Sequence, residues 1–139
     1  MKIYVATKFE EGPFARKVME SLETAGHTIT HDWTVEVQGE VSTLVGEERE
    51  KFLVKCAQSD LDGVRHCDVL LLLNHAYGKG MFTELGFAIA LMKTVVIVRP
   101  KVANNIFFHL PGCHMVETVG EGIDLIQKWT NSDGSPSLP

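Results

Sequence analysis

Hydrophobic and polar positions along the chain fall into two rhythms. Short apolar blocks bounded by turn formers alternate with longer stretches whose apolar residues return every three or four places. Lys2–Thr7 (KIYVAT), Val69–Leu73 (VLLLL) and Thr94–Val98 (TVVIV) read as strands. The last two are apolar throughout, as strands buried on both faces of a parallel sheet are. His27–His31 is a more polar second strand nearer an edge, and His114–Thr118 is a fifth. After Pro13, which a first helical turn tolerates, Phe14, Val18, Leu22 and Ala25 share a helical face, and Gly26 stops it. A second helix runs from Glu47 with Leu53, Cys56, Ala57 and Val64 on one face; Gly63 predicts a break near Ser59–Asp60 and a short extra turn. Met81–Met92 is apolar nearly all round, the pattern of a buried helix. Glu121–Thr130 closes the chain with Ile123, Ile126 and Trp129 packed inward.

Between these elements lie polar loops at Thr7–Gly12 and Asn74–Gly80. Thr34–Gly46 reads as a mobile loop over a site. Lys101–Gly112 is irregular, with one helical turn at Asn104–Phe108. The Ser/Pro/Gly-rich tail Asn131–Pro139 reads as disordered, which leaves a single domain over residues 1–130. Strands alternating with helices imply an α/β, flavodoxin-like or Rossmann-like three-layer sandwich, about five parallel strands in the order 2-1-3-4-5. The switch point of that order lies between the first and third strands, where ligands bind beyond the carboxyl ends. Three loops converge there: those after Thr7 and Asp32, and the one leading into Glu84.

Two carboxylates break the pattern. Glu84 falls in the first turn of the buried helix, where a charge is costly unless paired, bonded or protonated and where the helix amino end favours its ionised form. Asp60 sits on the apolar face of the preceding helix. Two displaced carboxylates beside one cleft suit acid/base or nucleophilic work, and cleavage of a glycosidic bond needs that combination. The plainer alternatives are that Glu84 caps or pairs structurally and that Asp60 is an N-cap.

Composition narrows the setting. The chain has 139 residues, 45% hydrophobic, enough for a real core. The net charge of −5 with dispersed basic residues argues against a nucleic-acid duplex or an anionic membrane as partner and for a small ligand. Three scattered cysteines without CxxC spacing fit reduced thiols in the cytoplasm, and because the first residues read as a strand, no signal peptide is expected. The histidines lack ligand spacing, so no catalytic metal is expected. The absence of GxGxxG and of a P-loop argues against a dinucleotide oxidoreductase or an NTPase.

The segment GMFTELGFA (Gly80–Ala88) resembles the G-x-x-x-E-[LV]-G-x-A motif of the nucleoside 2-deoxyribosyltransferase family, which includes 2′-deoxynucleoside 5′-monophosphate N-glycosidases. The upstream piece SDLDGVRHCDVLLLL and the opening KIYVAT resemble further family motifs in the same order. The resemblance implies that Glu84 attacks the anomeric carbon, that Asp60 assists proton transfer or orients the sugar, and that Tyr4 lies beside the nucleophile. It implies no cofactor, a nucleoside or nucleotide as ligand, and a homodimer or larger assembly, with Asn104–His114 the segment that would reach across. The family's transferases carry an aspartate six residues before the nucleophile; here that place is Gly78, which tips the expectation toward hydrolysis. The monophosphate glycosidases use a Gly/Ser-rich first loop for phosphate. Here Thr7 and Lys8 are the candidate contacts, with Arg16 as help and Glu10 and Glu11 opposing an anion.

Asp32, Trp33, Asn74 and Gly80 complete the candidate substrate-binding set, with Trp33 either stacking on a base or packing into the surface. His75 and Tyr77 share the loop before Glu84. Other readings stay open: a non-catalytic nucleotide-binding or signalling module, an NAD-cleaving Toll/interleukin-receptor-like domain, and an interaction domain in which Glu84 only caps a helix.

Overall fold

A computed structural model describes residues 1–36, 43–99 and 105–139. The chain runs β1 (Lys2–Ala6), α1 (Gly12–Thr24), β2 (Thr28–Ile29), α2 (Trp33–Glu36), α3 (Gly46–His66), β3 (Val69–Leu73), α4 (Lys79–Ala90), β4 (Thr94–Val98), β5 (Cys113–Val116) and α5 (Val119–Lys128). Short 3-10 turns occur at Phe9–Glu11 and Ile106–His109. The five strands form one parallel sheet in the order β2-β1-β3-β4-β5, an α/β flavodoxin-like fold.

The continuous apolar runs take the centre of the sheet. Every residue of β3 and β4 is buried, and Tyr4, Leu70 and Val95 stand in register across β1, β3 and β4. Each such side chain contributes roughly 2 kcal/mol by leaving water. The polar β2 and the half-buried β5 take the edges, as their composition requires. Helices α3 and α4 cover the face that carries Tyr4, while α5 lies on the opposite face, with Gly122 against Leu71 and Val96. Gly26, in the left-handed region at φ 90°, ends α1 as a C′ glycine does.

Several elements differ from the pattern-based expectation, for local reasons. Helix α3 is unbroken through Ser59–Asp60 because Gly63 is not a weak point but a contact. A Cβ there would stand 2.7 Å from His31 Cβ and 2.8 Å from the Tyr4 ring. Its expected apolar face is only partly covered: Leu53 and Cys56 are half-buried, Ala57 is exposed, and burial begins at Gly63–Val64. In α1 the buried face is Ala15, Val18, Met19 and Leu22, with Phe14 turned to the rim.

Helix α4 begins at Lys79 and not at Met81, which puts Glu84 in its second turn. β5 is Cys113–Val116; Thr118 is withdrawn from it to form a capping box with Glu121 at the start of α5. Part of the stretch read as a mobile loop is the helix α2, and Gly46 already begins α3, while 37–42 lie outside the described residues, as do 100–104. The tail folds back, contrary to its disordered composition. Thr130 and Pro136 form a bridge, Ser137 N donates to Trp129 O (2.6 Å), and the amino terminus donates to Gly134 O (3.2 Å).

Candidate active site at the carboxyl edge of the sheet

Tyr4 stands in the middle of β1 with its ring wholly buried, and its hydroxyl donates to Glu84 Oε1 at 2.7 Å. Strand and helix thus fix both ends of one hydrogen bond across 80 residues of sequence. Burial drives the Tyr4 pKa far up, with the charges of Glu84 and Asp60 adding to the effect, so Tyr4 remains a phenol and a donor. For Glu84, burial pushes the pKa up to about 7, Asp60's charge pushes the same way, and the Tyr4 bond pulls it down. The expected help from the helix amino end is outweighed: in the second turn the dipole has faded while desolvation has not. Glu84 therefore exchanges its proton near neutrality.

Asp60, half-buried on α3, lies against the same Tyr4 hydroxyl. His31, just beyond β2, approaches it from the other side, with Nε2 3.4 Å from Asp60 Oδ1. Both are brought in by Gly63, one turn along from Asp60, which lets α3 sit directly on the Tyr4 ring and on His31. A helix-interior glycine costs about 1 kcal/mol, and close packing at this point is what it permits.

A cavity of about 460 Å³ opens over this cluster. Glu84 and Asp60 form one side of it; Thr7 and Lys8 come from the loop after β1, Trp33 from α2 and Gly80 from α4. The Trp33 indole N–H is already committed to Val5 O (2.8 Å), so Trp33 presents only ring surface. The Thr7 hydroxyl donates to Leu73 O (2.8 Å), which ties the β1 loop to the end of β3. Lys8 stands 3.6 Å from Glu10, so the acidic loop residue offsets the nearest candidate cation. Tyr77, Gly78 and Lys79 also border the cavity.

Four candidates fall elsewhere. Asn74 and His75 border a neighbouring cavity of about 390 Å³ that shares only Thr7, and Asn74 Nδ2 donates to Arg99 O (3.1 Å). Asp32 pairs with Arg16 and accepts from Thr34 N (3.1 Å), so both Asp32 and the Arg16 suggested for phosphate are engaged in structure. His31 and Gly63 were not singled out for the site by sequence reasoning. A glycine in mid-helix three residues after a misplaced aspartate was the available signal for both.

A profile of the nucleoside 2-deoxyribosyltransferase family matches residues 3–126. Comparison with curated protein sequences gave no match. Among solved structures, the chain is similar to a 2-deoxyribosyltransferase from the psychrotolerant bacterium Bacillus psychrosaccharolyticus, at TM-score 0.64 and 17% identity, over 100% of this chain and 99% of that one. It is also similar to the CMP N-glycosidase BcmB of Clostridium botulinum, at TM-score 0.58 and 15% identity, over 93% of this chain and 100% of that one. At those identities the likeness speaks for the fold.

Proposed function

The chain belongs to the nucleoside 2-deoxyribosyltransferase family, and from that premise we propose that it cleaves the N-glycosidic bond of a (deoxy)nucleoside or its 5′-monophosphate with Glu84 as nucleophile. The observation that carries this reading is the Tyr4–Glu84 hydrogen bond behind a cavity wall that Glu84 and Asp60 form together. The Tyr4 donor fixes one carboxylate oxygen and leaves the other to attack C1′ of the sugar as the bond to the base breaks. The product is a glycosyl ester of Glu84 and a free base that has taken up a proton, with Asp60 the second group able to handle protons or orient the sugar. Water then attacks C1′, releasing the sugar and regenerating the carboxylate; a second base in its place gives transfer.

Hydrolysis is favoured because the position six residues before Glu84 is Gly78, which offers no side chain to recognise an incoming base. The Trp33 ring surface suits the flat face of a base. One structural neighbour is described as a CMP N-glycosidase, which supports including 5′-monophosphates, with Lys8 and Lys79 the cavity's cations for a phosphate. No described helix is long and apolar enough to cross a membrane. A cytoplasmic homodimer completes the proposal.

The test is chromatographic measurement of free-base release from deoxynucleosides, ribonucleosides, their 5′-monophosphates and NAD, with and without a second base, for wild type and Glu84→Gln. Release that vanishes in the variant supports the reading, and exchange in the presence of the second base would move it from hydrolase to transferase. Folded wild type that releases base from none of them would overturn it in favour of a nucleotide-binding module, and release from NAD alone would point to the Toll/interleukin-receptor-like alternative.

A further inference from the structure

A second cavity, of about 390 Å³, stands at the same edge of the sheet and shares Thr7 alone with the cavity over Glu84. Leu73 and Val98, in register at the ends of β3 and β4, give it an apolar lining, with Val119 of α5 and the Phe14 ring of α1 beside them. The polar groups around this lining are held in place and left unused. Asn74 is 6% exposed and donates through Nδ2 to Arg99 O (3.1 Å), while its Oδ1 has no hydrogen-bond partner among the described residues. A buried acceptor without a donor is costly. The same bond holds Arg99 in the left-handed region at φ 59°, a conformation that a residue with a side chain seldom takes. The exposed guanidinium makes no ion pair among the described residues, where the paired arginines are Arg16 and Arg65. His75 Nδ1 accepts from the Tyr77 N–H (3.2 Å), which puts the proton of the neutral ring on Nε2. Glu11 adds a half-buried carboxylate.

These groups describe their ligand. A phosphate or other strong anion would gain Arg99 and meet Glu11. A neutral flat molecule with acceptors on one edge and N–H donors on another uses both, as arginine takes the oxo edge of a base and a carboxylate takes its amino group. We propose that this cavity is a binding site for a free nucleobase, separate from the cavity over Glu84. A ring carbonyl or ring nitrogen accepts from Arg99 and from His75 Nε2–H. Ring or exocyclic N–H groups donate to Glu11 and Asn74 Oδ1, and the ring lies against Phe14, Leu73 and Val98. A base is what glycosidic cleavage releases, so the source of the ligand rests on the reading above, whereas its binding needs no turnover.

The test is a titration of the protein with cytosine and with hypoxanthine, followed by proton–nitrogen-15 NMR. The Val119 and His75 amides and the Asn74 side-chain amide report this cavity; the Trp33 indole N–H and the Lys79 amide report the one over Glu84. At least one of the bases moves the first set saturably, with a midpoint below about 1 mM. Arg99→Ala raises that midpoint at least ~tenfold at Val119 and leaves any response of Trp33 and Lys79 unchanged. Glu11→Gln, which leaves the end of β4 untouched, weakens binding in the same way. Shifts confined to Trp33 and Lys79, or a midpoint at Val119 indifferent to both variants, would overturn the site. Inorganic phosphate that moves Val119 and His75 where neither base does would overturn the nucleobase in favour of an anion. A protein that binds base here yet releases none from any nucleoside would bring down the glycosidic reading and leave this site standing. One that releases base while Val119 stays still would do the reverse.

Discussion

Asp32 and Glu84 reach the same carboxyl edge of one sheet and meet opposite surroundings. Asp32, after the edge strand β2, faces a guanidinium and accepts hydrogen bonds from the Thr34 amide and hydroxyl. Glu84, over the central strands, has a phenol for its donor and a second carboxylate for its neighbour, and no ion pair to it occurs among the described residues. The first arrangement stabilises an ordinary charge and holds α2 in place. The second leaves a carboxylate partly desolvated, its pKa pushed up to about 7. Position at the sheet edge therefore does not set a carboxylate's proton affinity; what faces it does.

The sharpest way to break this contrast is substitution on each side of it. Glu84→Gln abolishes base release, with a loss of at least ~10³-fold measured chromatographically, since an amide cannot form the glycosyl ester. The same variant is also the more stable protein at pH 8. Glu84 titrates at 4.5 when unfolded and about 7 when folded. The folded state therefore holds the extra proton between those values, and stability falls as pH rises through that window and is flat above it. The expected loss is about 2 kcal/mol after allowing for partial exposure, seen by chemical denaturation from pH 4.5 to 8 and absent in the variant. Activity runs the other way: kcat/KM climbs with pH to a plateau above about 7 as Glu84 ionises.

Tyr4→Phe removes the donor and keeps the ring, so it lowers kcat about a hundredfold while changing the melting temperature little. Gly63→Ala comes next. The added methyl meets the Tyr4 ring and His31, which destabilises by about 1 kcal/mol net of better helix propensity and lowers activity about tenfold by displacing Tyr4. Denaturation and kinetics on one preparation separate the two effects. Asp32→Asn is the smallest: its ion pair is partly exposed and asparagine still caps, so stability falls by less than about 1 kcal/mol and activity changes less than threefold. An Asp32→Asn variant as inactive as Glu84→Gln would erase the contrast.

The legible parts of the candidate site were those that break a pattern. Glu84 stands out because the helix around it is apolar, and Asp60 because it interrupts an apolar face. Tyr4 had to be carried by family likeness, since a buried tyrosine in a strand looks the same whether its hydroxyl serves a catalyst or only the core. His31 and Gly63 were harder to place for a different reason. A polar residue ending an edge strand and a glycine in a helix are ordinary locally, and their closeness exists only in the folded contact between them. For Asp32 and Asn74, sequence places them at strand ends without saying which way they turn or what they meet.

The sequence by itself determined the order and kind of the elements, because burial on two faces, one face or none writes itself as continuous, periodic or broken hydrophobicity along the chain. From those followed the parallel sheet, its strand order and the edge at which a site would lie. Tertiary structure decided which carboxylate received a cation and which a phenol, and it turned a helix-weakening glycine into the contact that seats Tyr4. It also left Glu84 with a proton affinity near neutrality. Those outcomes depend on distances between residues far apart in the chain and on the water excluded between them, neither of which is encoded at any one position.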